Sequence, residues 1–144
     1  MPYTFPRFKR YSDVYNTKKQ TQSPLPALLN TTQFIEELQP EPGEIIVEKT
    51  RYSAFFRTDL KKLLGERGVK TLIVTGVGTN ACVETTCREG FMHDYYIIVP
   101  DDLVATTDSE LHDGSLRDLD RYFAVVASSA DLLRVWEENA QNGC

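Results

Sequence analysis

Cys82 is the residue whose setting most invites chemistry. It follows the small-residue turn Gly76-Val77-Gly78-Thr79-Asn80, which closes an apolar run at residues 71–75. It also opens residues 82–92, which read as a helix. A cysteine in the first turn of a helix faces unpaired backbone N–H groups and the positive end of the helix dipole. Both favour the thiolate, the nucleophilic form of the residue. The same N–H groups can bind the oxyanion of a tetrahedral intermediate. Against this stands the ordinary role of a free cysteine as a small buried residue. Two glycines, Asn80 and the end of a strand at one point favour the nucleophile.

Lys49 directly follows the apolar run at residues 44–48 (EIIVE). Its ammonium could lie at the same sheet edge as Cys82, to steady a thiolate or pass a proton. An ordinary surface lysine with its stem along apolar neighbours explains the position equally well. Cys87 stands five residues after Cys82, on another face of the helix, and reads as packing. Asp101 and Asp102 read as turn or cap residues. His93 and His112 show no ligand spacing, and Trp136 reads as a core or interface anchor. The three cysteines, Cys82, Cys87 and Cys144, contain no CxxC and match no zinc pattern, so no metal is expected.

The elements that must position these residues alternate regularly after residue 41. Strands are predicted at 44–48, 71–75, 95–99 and 122–127, and helices at 58–67, 82–92, 108–120 and from Ser129 onward. Thr58 is expected to cap the first of these helices, with Leu60, Leu63 and Leu64 as its stripe. Leu111, Leu116 and Leu119 are expected to face inward on the third. Ser128 with Asp131 forms a capping-box signature before the last. Alternating apolar strands and amphipathic helices indicate βαβ units and a parallel sheet. Runs without polar alternation are those of strands covered by helices on both faces. Ligands of such sheets bind beyond the carboxyl ends of the strands, where Lys49 and Cys82 both fall. Residues 1–30 are proline-rich and aperiodic and read as an irregular segment, with a short helix expected at 32–38.

The net charge of −5 over 144 residues argues against nucleic acid as a partner, because phosphate binding needs a basic footprint. The charge is uneven: residues 100–144 hold ten acidic and three basic side chains, read as solvated helix faces. No apolar run approaches the ~20 residues of a membrane span. The N-terminus, MPYTFPRFKRY, lacks the apolar core of a secretory signal. Unpaired cysteines then suit a reducing, cytoplasmic setting.

The stretches EIIVEKTRYSAFFRTDL, LIVTGVGTNACVETTCREGF and IIVPDDLVATTD resemble the isochorismatase-like cysteine hydrolases, most of all their ureidoacrylate and carbamoyl amidohydrolase branch. Two separate motifs at the right spacing carry the resemblance, over roughly residues 33–135. It implies a three-layer α-β-α, Rossmann-like parallel sheet, here as a single hydrolase domain at 31–144. It maps the nucleophile onto Cys82 and the catalytic lysine onto Lys49. It also implies a cis peptide at Val77–Gly78, oxyanion donors at the N–H groups of Gly78 and Cys82, and pocket residues at Tyr52 and Asn80. The implied chemistry is acyl transfer: Cys82 attacks an amide or carbamoyl carbon, an amine leaves, and water hydrolyses the thioester. No cofactor is implied. The partners implied are a small-molecule substrate and further copies of the chain, as a dimer or tetramer.

The family's acid/base is an aspartate in an Asp-x-Gln motif on its first strand, and no Asp-x-Gln occurs here. The pattern reads as a chain lacking the family's first strand and helix, with Asp13 the early carboxylate. Three readings therefore stand: an amidohydrolase with its carboxylate supplied otherwise, an inactive shortened relative that binds without turnover, and a thiol-redox protein using Cys82 and Cys87. The last is weakest, because the two thiols fall on different helix faces.

Overall fold

Short parallel strands joined by helical crossovers build this computed structural model, which describes residues 39–141. Chain contacts divide the protein at residues 44 and 45, and the elements below all belong to the second unit, Ile45–Cys144. In order they are α1 (Leu60–Glu66), β1 (Thr71–Ile73), β2 (Gly76–Val77), a π-helical turn (Thr79–Val83) and α2 (Glu84–Met92). Then come β3 (Tyr96–Pro100), a 3-10 turn (Asp101–Leu103), β4 (Val104–Ala105), α3 (Ser109–Tyr122), β5 (Val125–Ala127) and α4 (Ser129–Gln141). The expected segments at 1–30 and 32–38 lie outside the described residues.

The main sheet has the order β1-β3-β5, all parallel. Thr71 pairs with Tyr96 and Ile73 with Ile98 on one side of β3; Ile98 pairs with Val125 and Pro100 with Ala127 on the other. A second parallel pair, β2 with β4, matches Gly76 to Val104 and Val77 to Ala105. The crossovers are the predicted βαβ units. Parallel neighbours cannot be joined by a tight hairpin, so the chain must return along a helix.

The core lies where α2 and α3 meet the sheet. Val83, Cys87, Ile97, Val99, Val104 and Leu119 are buried together, with Leu72, Leu116, Phe123 and Val126 packed around them. Gly90 of α2 makes this approach possible. A Cβ there would stand 3.0 Å from Ile97 Cδ1 and 3.2 Å from Phe55 Cε2.

Several expectations are corrected. Residues 44–48 form no strand, because no hydrogen-bonded neighbour flanks them among the described residues. β1 is shorter than predicted and not buried: Thr71 and Ile73 are exposed, as are Tyr96 and Val125. The core cluster takes the alternate residues Leu72, Ile97, Val99 and Val126, which project to the opposite side of the pleat. The helix expected at 58–67 is the shorter α1, with Asp59 at its N-cap position. Thr58 still accepts from the Leu60 N–H at 3.3 Å. Leu111 is 51% exposed and Trp136 55%, so neither is a core residue. Leu119 is fully buried, as expected.

Side-chain caps close the starts of α3 and α4. Asp108 caps α3 by accepting from the Leu111 N–H at 3.1 Å. Ser128 and Asp131 bond reciprocally at the head of α4, at 2.7 and 3.2 Å. Asp102 accepts from the Ser129 N–H at 2.8 Å and also from the Ser129 hydroxyl. Those bonds hold its carboxyl below the ordinary carboxylate value. Asp102 is thus a cap, as predicted.

Candidate active site

The glycine-rich turn takes a backbone route that favours glycine. Gly76 has φ 125° and Gly78 φ 82°, both in the left-handed half of conformational space. All described peptide bonds are trans, so the cis bond expected at Val77–Gly78 is not present. The positive φ at Gly78 turns the chain instead. The N–H groups of Ala81 and Val83 both reach the Gly78 carbonyl, at 2.9 and 3.2 Å.

The turn carries Cys82, and its partner comes from far along the chain. Lys49 Nζ lies 3.7 Å from Cys82 Sγ and also donates to the Arg51 carbonyl at 3.0 Å. The second bond aims the lysine, since a long flexible side chain held at two points keeps one rotamer. Cys82 is half-buried, accessible enough to meet a reagent. The arrangement can do nucleophilic chemistry: a thiol at a helix start with a proton donor on its sulfur.

The other expected site residues fare differently. The Gly78 N–H donates to the Ala105 carbonyl at 2.8 Å, extending the β2–β4 ladder, so it is not free to serve as an oxyanion donor. The Cys82 N–H lies in the first turn of the Thr79–Val83 and α2 helical run, where intrahelical partners run out. Asn80 Oδ1 accepts from the Thr106 hydroxyl at 2.9 Å, which makes Asn80 an anchor of the turn. Tyr52 is 45% exposed on the segment after Lys49. Cys87 is fully buried, and burial, with Glu84 nearby, pushes its thiol up to about 12. It is packing, as its spacing suggested. Asp13 lies outside the described residues.

Sequence reasoning missed the supports of the turn. Thr86 Oγ1 donates to the Cys82 carbonyl at 2.7 Å and accepts from the Ala54 N–H at 3.1 Å, tying the lysine segment to the cysteine helix. Thr79 Oγ1 and His112 Nδ1 lie 2.9 Å apart. One signal for His112 was available: it occupies the stripe of Ser115, Leu116 and Leu119, spaced 3, 4 and 7 residues on, and so faces inward.

An open hollow of the surface is lined by Asp101, Asp113, Leu116, Arg117, Asp120 and Val126. It includes neither Cys82 nor Lys49. Among the described residues no cluster of histidine, cysteine and carboxylate side chains could hold a metal ion.

Comparison with known proteins agrees with the fold. The isochorismatase domain model matches residues 3–131. A ureidoacrylate amidohydrolase RutB of Enterobacter sp. (strain 638) is 42% identical over 100 residues, 69% of this chain and 44% of the relative. The RutB of Acinetobacter baylyi is 36% identical over 110 residues, 76% of this chain and 45% of that protein. The chain thus spans less than half the length of these relatives. An isochorismatase-like hydrolase from Alkaliphilus metalliredigens superposes with a TM-score of 0.69 at 38% identity, over 72% of this chain and 57% of that one. A cysteine hydrolase from Pseudomonas syringae pv. phaseolicola reaches 0.77 at 31% identity, over 90% and 65%. The nicotinamidase of Staphylococcus aureus reaches 0.56 at 34%, over 57% and 52%. With the matched model covering most of the chain, and parallel strands carrying a cysteine at the turn into a helix, this protein belongs to the isochorismatase family.

Proposed function

We propose that the protein is a cysteine hydrolase that cleaves a C–N bond of a small ureido, carbamoyl or amide compound. The observation that carries this reading is Lys49 Nζ at 3.7 Å from Cys82 Sγ, two residues 33 positions apart in the chain. The ureidoacrylate amidohydrolases and the nicotinamidase among its relatives support the choice of bond.

In the proposed reaction the Cys82 sulfur attacks the carbonyl carbon and forms a C–S bond. Lys49 steadies negative charge on the sulfur as the attack begins. The Cys82 N–H, at the positive end of the helix, faces the developing oxyanion. The C–N bond then breaks, and the nitrogen leaves with a proton as ammonia or an amine. Water adds to the thioester, releases the acid and returns the thiol. A positioned acid/base typically contributes 10²–10⁴-fold to such steps. With no Asp-x-Gln in the sequence, slow turnover is expected from the chain as it stands.

The test is ammonia release from ureidoacrylate-like, carbamoyl and nicotinamide substrates, with Cys82→Ala as the blank. Turnover that depends on Cys82 supports the reading. Turnover unchanged in Cys82→Ala overturns it, and absence of any turnover favours a binding role instead. A cytoplasmic location and assembly with further copies of the chain belong to the same proposal. No helix among the described residues is long and apolar enough to cross a membrane.

A further inference from the structure

The π-helical turn that carries Cys82 is bracketed by two hydrogen bonds from a single helix. At its start, Thr79 is fully buried, and its Oγ1 lies 2.9 Å from His112 Nδ1 on α3. Just past its end, Ser115 of α3 donates to Glu84 Oε2 at 2.6 Å. Cys82 stands between the two anchors. His112 and Ser115 are three residues apart, one helical turn, so both project from the same face of α3. That face is fixed by Leu119, which is fully buried. Within the turn, the N–H groups of Ala81 and Val83 share one carbonyl acceptor, that of Gly78.

We propose that His112 is a positioning residue for the nucleophile: through the Thr79 hydroxyl it holds the turn so that Cys82 Sγ stays at the helix start beside Lys49. The inference rests on Cys82 being the reactive thiol. It does not depend on which bond is hydrolysed. An imidazole suits the task, because either tautomer can pair with a hydroxyl: an unprotonated Nδ1 accepts from it, and a protonated one donates to it. With the bond gone, the start of the turn is left with an unpaired buried group, and the cysteine leaves its place for part of the time.

The test measures alkylation of the full 144-residue chain by limiting iodoacetamide at neutral pH, resolved by site with mass mapping. The variants are Thr79→Val, Thr79→Ser, His112→Ala and the Thr79→Val/His112→Ala double. The expected result is a fall of about three- to tenfold in the Cys82 rate for Thr79→Val and for His112→Ala, the scale of one hydrogen bond. Thr79→Ser, which keeps the hydroxyl, should stay within about twofold of the parent. The double variant should be no slower than the slower single, because both changes remove one interaction. Cys87 serves as the internal control: a variant that merely loosens the fold labels Cys87 as well. An unchanged Cys82 rate in His112→Ala overturns the proposal. So do multiplying effects in the double variant, failure of Thr79→Ser to restore the rate, or labelling of Cys87 alongside Cys82. The readout is thiol chemistry, so a chain that hydrolyses nothing still decides the question.

Discussion

Gly90→Ala should destabilise this protein, although the same change at an open helix position should stabilise it. Alanine is the better helix former, and exchange of an interior helical glycine for alanine ordinarily gains about 0.5–1 kcal/mol. Gly114, in the middle of α3, meets nothing within 4 Å of a built Cβ and should show that gain. Gly90 sits directly against packed core side chains. Its Cβ would stand 3.0 Å from Ile97 Cδ1, 3.2 Å from Phe55 Cε2 and 3.5 Å from Leu72 Cδ1. Ile97 is 3% exposed and Phe55 5%, so neither has room to withdraw without moving a neighbour. Forcing an extra methyl into a filled core costs roughly 1–3 kcal/mol. Set against the propensity gain, the net is a loss of about 1 kcal/mol. The consequence reaches the site, because Phe55 belongs to the segment whose Ala54 N–H is bonded to Thr86 of the cysteine helix. Urea denaturation of the parent, Gly90→Ala and Gly114→Ala proteins would give the three stabilities. If Gly90→Ala proves as stable as Gly114→Ala, the packing argument is wrong.

Three further outcomes follow from the same structure. Cys87 should resist iodoacetamide at neutral pH until the fold opens, because burial pushes its thiol up to about 12; labelling as fast as Cys82 in the folded chain would contradict its placement. Leu119→Ala should cost about 2–5 kcal/mol, measured by the same denaturation, since this fully buried leucine joins α3 to the sheet. Asp102→Asn should lower the melting temperature near neutral pH, by weakening the cap on α4. The Asp102 carboxyl is lowered in the folded state, so its contribution is present above the ordinary value of 3.8 and is lost as pH falls through the folded value. The gap between parent and variant should therefore close in acid, and a gap constant down to pH 2 would refute the assignment.

What the sequence by itself determined is local and periodic. The alternation of short apolar runs with amphipathic stretches announced the parallel sheet, because period and length depend on nearest neighbours in the chain. The cap at Ser128 was legible for the same reason: a side chain bonding three residues ahead needs no distant partner. So was the turn at Cys82, where glycines mark a backbone that no other residue adopts easily. The tertiary structure decided the rest. Residues 44–48 have the composition of a strand, yet a strand exists only with a neighbour to receive its hydrogen bonds, and composition does not supply one. Gly78 looked free to bind an oxyanion until the Ala105 carbonyl, 27 residues on, took its N–H. Lys49 and Cys82, like Thr79 and His112, are 33 residues apart. Spacing of that length carries no signal, because only the crossover of helices over the sheet brings the two ends together.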